Sequence, residues 1–202
     1  MRPPSPLSMK ESTPTCVAGI GGSAGALNAY KALLDHLPAG TDMAFVIISH
    51  MSPEAHSQLA QILSRHSKMP TLIAADAMPI SANHVYVIPA NADLQVAEYR
   101  FKITWPRSRR NAQIDLFFVS IAEAFGDRAI GVVFSGYDGD GTAGCKYIKE
   151  KGGITFAQDE SAEIDSMPVR AQASGYVDFV LPPDKISKAL TEIGARFARP
   201  SR

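Results

Sequence analysis

Short, almost wholly apolar segments alternate along this chain with amphipathic ones, and this alternation constrains the fold most strongly. The strand-like segments span residues 15–20, 43–49, 71–74, 84–88, 129–135, 153–157 and 176–181. Segments with helical spacing of apolar residues span 26–37, 54–66, 114–125, 142–151 and 184–197. Strands that are apolar throughout are typical of sheets buried on both faces. We therefore predict an α/β fold, a doubly wound and mostly parallel sheet with helices on both faces.

The segment from 84 to 105 departs from this alternation. The runs HVYVI, DLQVAEY and RFKITW follow one another with turn residues between them and without a helix. Antiparallel neighbours can be joined by a short turn, whereas parallel neighbours need a long crossover. We expect a small antiparallel excursion near 84–105, attached to the main sheet.

The length and composition indicate one folded domain. The chain has 202 residues, of which 46% are hydrophobic and 20% charged, which is enough to build a single buried core. Residues 1–14 are rich in Pro and Ser and lack the apolar stretch of a signal peptide. We expect 1–14 to be a disordered leader and 15–198 to be the folded domain.

The charge balance and the cysteine content exclude several functional classes. Basic and acidic side chains number 20 each, so the formal net charge is zero, and neither a nucleic acid nor a membrane surface is favoured as partner. The basic cluster Arg107, Arg109 and Arg110 is more typical of a solvated loop than of a binding patch. Two cysteines, Cys16 and Cys145, form no disulfide framework, which fits a reducing compartment. No apolar run approaches the ~20 residues that span a bilayer.

Polar residues follow three of the predicted strands at their carboxyl ends, where open parallel sheets bind ligands. The first strand leads into a glycine-rich turn that contains Ser23, the second into His50, and the strand at 129–135 into a turn that contains Asp140. A serine hydroxyl becomes nucleophilic when a histidine takes its proton and a carboxylate orients that histidine. Ser23, His50 and Asp140 are therefore candidates for nucleophile, base and carboxylate partner.

The turn Gly21-Gly22-Ser23-Ala24-Gly25 has two interpretations when it is considered alone. Its G-x-S-x-G pattern fits a nucleophile on a sharp turn, with free N–H groups at the following helix for an oxyanion. A glycine-rich turn after a first strand is more often a phosphate cradle. Dinucleotide-binding folds place an acidic residue after the second strand, however, and this chain has Ser49 and His50 there. Nucleotide binding stays open as a minor alternative.

These residues and their neighbours resemble a known family. The blocks are GIGGSAGAL (19–27), FVIISHM (45–51), HVYVIPANADL (84–94), IDLFF (114–118), GVVFSGYDGDGTAG (131–144) and MPVRA (167–171). In order and spacing they are similar to the catalytic domain of CheB-type chemoreceptor glutamate methylesterases, over roughly 15–183. The blocks IPANADL and IDLFF look closest to the branch that is fused to a CheR-type methyltransferase.

The resemblance implies that residues 15–198 form a cytoplasmic catalytic domain, and it is compatible with a longer protein that also carries a methyltransferase. Its reaction would be hydrolysis of glutamate methyl esters on a methylated chemoreceptor or a similar signalling protein, and in many members deamidation of receptor glutamines. Ser23 matches the family nucleophile, His50 the base and Asp140 the carboxylate partner. Ala24 and Tyr137 match positions that would bind the oxyanion or substrate. The resemblance implies no metal, organic cofactor, nucleic acid or membrane insertion.

Three positions depart from the family pattern. Gly22 stands where Ala is usual, Ala26 stands where Gly is usual, and Asp138 replaces a glycine in the turn before Asp140. A carboxylate at 138 adds negative charge near His50, which would raise the pKa of that histidine. The departures leave open an alternative function, a catalytically weak or inactive signalling or interaction domain of the same fold.

Overall fold

The structure, a computed structural model, describes residues 12–50 and 56–198. Within them the strands are β1 (Val17–Gly22), β2 (Ala44–Ser49), β3 (Thr71–Ile73), β4 (His84–Val87), β5 (Asp93–Ala97), β6 (Arg100–Thr104), β7 (Ala129–Val133), β8 (Ile154–Gln158) and β9 (Phe179–Leu181). The helices are α1 (Ala26–His36), α2 (His56–Ser64), α3 (Gln113–Phe125), α4 (Thr142–Glu150), α5 (Ser166–Ala173) and α6 (Pro183–Phe197). None of these helices is both long and apolar enough to cross a membrane.

Seven of the strands form one parallel sheet in the order β3-β4-β2-β1-β7-β8-β9. Gly19 in β1 pairs with Val46 on one side and with Gly131 on the other. The strand order therefore reverses at β1, since the chain continues to β2 on one flank and later returns to β7 on the opposite flank. Such a reversal opens a crevice at the carboxyl ends of the strands, where ligands bind. The predicted doubly wound parallel sheet is confirmed.

The antiparallel excursion is also confirmed, over a shorter segment than 84–105. β5 and β6 form a separate two-stranded sheet. They are joined by Glu98 and Tyr99, which have φ values of 50° and 60°. Positive φ at both central residues is typical of a type I′ hairpin turn. β4 pairs in parallel with β2 and β3, so the HVYV run belongs to the main sheet.

Helices cover both faces of the sheet, each over its own hydrophobic cluster. One cluster joins α1, α2 and α6 to the sheet, and the other joins α3, α4, α5 and the β5–β6 hairpin to the opposite face. The ring of Phe118 in α3 lies against Gly19, where a Cβ would approach Phe118 Cε1 to 2.9 Å. Because glycine permits this close approach, α3 packs tightly on β1, and its amino end reaches the carboxyl edge of the sheet.

One helix of the structure was not predicted, and two predicted segments extend beyond the described residues. Helix α5 was not predicted, because its buried side chains are only Met167, Pro168 and Ala171 and it has Pro168 in its first turn, where the missing N–H is tolerated. The predicted helix 54–66 is confirmed over His56–Ser64, and residues 54 and 55 lie outside the described residues. Of the predicted leader 1–14, residues 1–11 also lie outside them, and the Ser12 carbonyl accepts a hydrogen bond from Ala82 N. The boundaries at 14 and 198 stay a prediction.

Candidate functional site

The turns that follow β1, β2 and β7 meet at the carboxyl edge of the sheet. β1 ends at Gly22 and β2 at Ser49, so Ser23 and His50 are the first residues beyond two neighbouring strands. The backbone N–H of His50 donates to the Gly22 carbonyl at 3.2 Å, and that of Ser23 donates to the Ser135 carbonyl at 2.9 Å. The structure therefore brings Ser23 and His50 next to the turn that leads to Asp140.

Glycines permit the close approach of these turns. Gly25, at the start of α1, has a φ of 76°, a left-handed conformation in which an L side chain is strained. A Cβ on Gly136 would lie 3.0 Å from Ser23 Cβ, so the turn after β7 packs directly on the serine. Ser23 opens onto a cavity of about 300 Å³, lined by Ser23, Ala24, Gly25, Leu27, Tyr30, Ser49, His50 and Leu59.

Asp140 holds the His50 ring in one orientation. His50 Nε2 lies 2.6 Å from Asp140 Oδ2, and the exposed fractions of the two side chains are 6% and 0%. The Asp140 carboxylate also accepts hydrogen bonds from the backbone N–H groups of Ile114 and Asp115, both at 2.9 Å, and from Gly141 at 3.0 Å. A carboxylate surrounded by donors in this way orients an imidazole and stabilises its protonated form.

Asp115 is a residue of the site that the sequence analysis did not identify, although it lies in the block IDLFF. Its Oδ1 accepts hydrogen bonds from Gly141 N at 2.9 Å and Gly144 N at 2.7 Å. Burial raises the pKa of Asp115 to about 6, and the neighbouring Asp140 carboxylate acts in the same direction. Asp115 thus caps the start of α4 and, through Gly141, helps to hold the turn that carries Asp140. The signal available in the sequence was an acidic residue in the first turn of α3.

Asp138 contacts the other side of the His50 ring. Its Oδ2 lies 3.3 Å from His50 Nδ1. The contact does not have hydrogen-bond geometry, so the buried Nδ1 has no hydrogen-bond partner among the described residues. Burial lowers the pKa of His50, but the carboxylates of Asp138 and Asp140 outweigh burial and raise it to about 9. Burial likewise opposes ionisation of Asp138, and the contact with His50 prevails and lowers the pKa of Asp138.

Of the two residues predicted to bind an oxyanion, Ala24 directly follows the serine, and Tyr137 follows Gly136, which packs on Ser23. Within the described part of the chain, the backbone N–H groups of Ala24 and Tyr137 donate no hydrogen bond, whereas Gly136 N donates to the Ile164 carbonyl at 3.0 Å. The Tyr137 side chain is 68% exposed and is absent from the lining of the cavity at Ser23. The bulk of Tyr137 therefore leaves this cavity open.

The two cysteines and the other described histidine side chains have surroundings typical of structural residues. Burial raises the pKa of both Cys16 and Cys145 to about 12, which keeps these thiols protonated and poorly nucleophilic. His36 and His84 contact backbone carbonyls through Nδ1, and His66 contacts Asp35. The side chain of His56 is not described. In the residues that the structure covers, no cluster of three His, Cys, Asp or Glu side chains is placed to hold a metal ion.

Comparison with known proteins bears on the two interpretations of the glycine-rich turn. The family model described as CheB methylesterase matches residues 18–190. The chain belongs to the CheB methylesterase family. Membership favours a nucleophile at Ser23 over a phosphate cradle. With the His50–Asp140 pair in place, it does not favour the alternative of an inactive interaction domain.

Curated relatives and a solved structure agree with this family. A putative protein-glutamate methylesterase/protein-glutamine glutaminase of Leptospira interrogans is 34% identical over 173 residues, 84% of this chain and 90% of that protein. The corresponding enzyme of Hydrogenovibrio crunogenus is 33% identical over 84% of this chain, which spans 48% of its length. The crystal structure of the Thermotoga maritima CheB methylesterase catalytic domain superposes with a TM-score of 0.81 at 26% identity, covering 88% of this chain and 98% of that one.

One further relative is a much longer protein. An uncharacterized 104.1 kDa protein of Rhodobacter capsulatus is 40% identical over 131 residues, which are 63% of this chain and 14% of that protein. Segments similar to this chain therefore occur both in proteins of about this length and as parts of larger chains.

Proposed function

We propose that this chain is a protein-glutamate methylesterase domain, which hydrolyses the γ-methyl ester of a glutamate on a methylated chemoreceptor or a similar signalling protein. The observation that carries the proposal is the 2.6 Å contact between His50 Nε2 and Asp140 Oδ2, at the switch point of a CheB-family sheet and beside Ser23. The names of its relatives support the same substrate class and add glutamine as a second substrate.

In the proposed reaction Ser23 Oγ attacks the ester carbonyl carbon. His50 takes the serine proton through Nδ1, because its Nε2 is bound to Asp140. The N–H groups of Ala24 and Tyr137 stabilise the negative oxygen of the tetrahedral intermediate. The intermediate expels methanol, which leaves with the proton from His50, and a glutamyl ester of Ser23 remains.

Water completes the cycle. His50 removes a proton from water, the resulting hydroxide attacks the acyl carbon, and Ser23 leaves with the proton that His50 returns. The balance is ester plus water to glutamate carboxyl plus methanol. A glutamine side chain would follow the same route and release ammonia.

We place this reaction in the cytoplasm and expect it to be part of a larger signalling protein. Two observations support a larger context: the chain spans only about half of several enzyme relatives, such as the Hydrogenovibrio protein at 48%, and a similar segment occurs in the 104.1 kDa Rhodobacter protein. The blocks IPANADL and IDLFF suggest a CheR-type methyltransferase as a companion domain.

The test is methanol release from a methylated receptor fragment by the wild type and by Ser23→Ala. Loss of a triad nucleophile lowers kcat by several orders of magnitude, so we expect at least a ~10³-fold decrease. Ser64→Ala is the matched control, since Ser64 is exposed on α2 and its hydroxyl donates only to the Gln61 carbonyl. Equal rates for Ser23→Ala and the wild type would refute the nucleophile. A wild type that neither releases methanol nor reacts with a fluorophosphonate would support the non-catalytic alternative.

A further inference from the structure

Asp138 contacts Nδ1 of the His50 ring, which is the nitrogen that the proposed reaction needs as a base. Nε2 is bound to Asp140, so Nδ1 is the only ring nitrogen left to accept a proton from Ser23. Asp138 Oδ2 lies 3.3 Å from that Nδ1. Each nitrogen of the ring therefore faces a carboxylate, and the His50 side chain is 6% exposed.

A histidine between two carboxylates is most stable when both nitrogens carry protons. The imidazolium form compensates the charge of Asp140 and Asp138, but it has no lone pair at Nδ1. A base without that lone pair cannot take a proton from Ser23. The second carboxylate thus opposes the function that the first one supports.

We propose that Asp138 competes with Ser23 for His50 Nδ1 and keeps the histidine in its protonated, non-basic form. The proposal rests on the proposed esterase function. His50 then acts as a base only when the proton is removed at alkaline pH or when Asp138 leaves the ring. Asp138 is a positioning residue, since it acts on the reaction through His50.

Besides its contact with His50, the Asp138 carboxylate accepts a hydrogen bond from Asp140 N at 3.1 Å, and its other surroundings are open. Its side chain is 26% exposed, and it lies between Gly136 and Gly139 in the turn after β7. Within the described part of the chain, a Cβ on Gly139 would have only Arg170 within 4 Å, with Nη1 at 3.7 Å. The exposed Arg170 of α5 thus places a positive charge beside the turn, in addition to that of protonated His50. Arg170 also contributes to the lowered pKa of Asp138. Movement of Asp138 toward Arg170 would free Nδ1.

Among the residues that the structure describes, the ionisable groups around His50 come from four elements. Asp138 and Asp140 lie in the turn after β7, Asp115 lies behind Asp140 in α3, and Arg170 lies beyond Asp138 in α5. Tyr30 of α1 lines the same cavity, and burial raises its pKa, so it stays neutral. The two carboxylates that contact the ring together raise the pKa of His50 to about 9. With that pKa, about 1% of the histidine is neutral at pH 7.

The decisive experiment is the pH dependence of kcat/KM for methanol release from pH 6 to 10, comparing the wild type with Asp138→Asn. We expect the wild-type rate to rise through a pKa of about 9. The variant should rise at least one pH unit lower and be at least ~10-fold faster at pH 7. Asp138→Gly, which restores the usual family residue, should behave like Asp138→Asn. Asp165→Asn is the control for charge, because Asp165 is exposed near the same turn and should leave the profile unchanged.

NMR titration of the labelled His50 ring separates this inference from the proposed function. The titration needs no turnover, so an alkaline wild-type midpoint that falls in Asp138→Asn would support the competitor role even in a protein that releases no methanol. A wild type that does release methanol while Asp138→Asn leaves both the midpoint and the rate profile unchanged would refute the competitor role alone. A variant that is slower than the wild type at every pH would refute it as well.

Discussion

Asp140 caps the amino end of α3, and Asp115, which lies in α3, caps the amino end of α4. The Asp140 carboxylate, just before α4, accepts the N–H groups of Ile114 and Asp115 at the start of α3. The Asp115 carboxylate, in α3, accepts those of Gly141 and Gly144 at the start of α4. The first N–H groups of a helix have no acceptor within it, so both carboxylates satisfy such donors, and the Gly141 N–H is shared between the two. The same bonds fix the orientation of the carboxylate that holds His50.

Loss of Asp115 should therefore affect both stability and catalysis. We expect Asp115→Ala to lower the free energy of unfolding by about 2 kcal/mol, because the buried Gly144 N–H loses its acceptor and the Gly141 N–H keeps only Asp140. We also expect kcat to fall, since Asp140 loses its support, and Asp115→Asn to lose less of both because one oxygen acceptor remains. Urea unfolding and methanol release measure the two effects.

Glu123→Ala is the control for this comparison. Glu123 lies on the exposed side of α3, and its ion pair with Lys151, at 3.1 Å, is largely solvated. Asp115→Ala should be clearly more destabilising than this variant, and equal destabilisation would contradict a capping role for Asp115.

Stability should fall at mildly alkaline pH because folded His50 holds its proton more tightly than unfolded histidine. Its pKa rises from 6.5 to about 9 on folding, so its contribution is fully present below pH 6.5 and is lost as pH rises through about 9. Between pH 6.5 and 8.5 the free energy of unfolding should decrease by about 2 kcal/mol. Asp115, with a pKa of about 6, titrates mainly below this window.

Urea unfolding at several pH values measures this slope. In Asp138→Asn only one carboxylate still contacts His50, so the decrease should be less than half of that in the wild type. A wild-type stability that is flat over the window, or a slope that is the same in the variant, would contradict the expectation.

Gly22 and Ala26, two of the departures from the family pattern, are in contact. A Cβ on Gly22 would lie 2.7 Å from Ala26 Cβ and 2.5 Å from Tyr30 Oη, so a methyl group there would overlap both, and replacing Ala26 by glycine would remove the first overlap. Gly22→Ala alone should destabilise the fold by about 1–3 kcal/mol through overpacking. The double variant Gly22→Ala/Ala26→Gly, which restores the family pair, should recover at least about 1 kcal/mol of that loss.

A double-mutant cycle with urea unfolding tests this coupling. Ala26→Gly alone measures the cost of losing the methyl group at the start of α1. Strictly additive effects of the two substitutions would show that the positions are independent.

The elements that were predictable share a local cause. Long amphipathic segments such as α3 and wholly apolar strands such as β2 follow from the period of their own residues. The place of β4 in the main sheet and the existence of α5 do not, because strand partners and the burial of a short helix depend on residues distant in the chain. The blocks that resemble the CheB family include residues of β4 and α5, but the resemblance does not state their strand partners or secondary structure.

The sequence by itself determined that a serine, a histidine and an aspartate follow three strands, because strand ends and turn residues are local patterns. Only the tertiary structure decided that those strands are neighbours in the order β2-β1-β7. It also decided that Nε2 of His50 faces Asp140, 90 residues away, and that Nδ1 faces Asp138. Asp115 became part of the site for the same reason, since its partners Gly141 and Gly144 approach it only when α3 and α4 pack on one face of the sheet. Packing and hydrogen bonding between distant residues set these relations, and no local period in the chain encodes them.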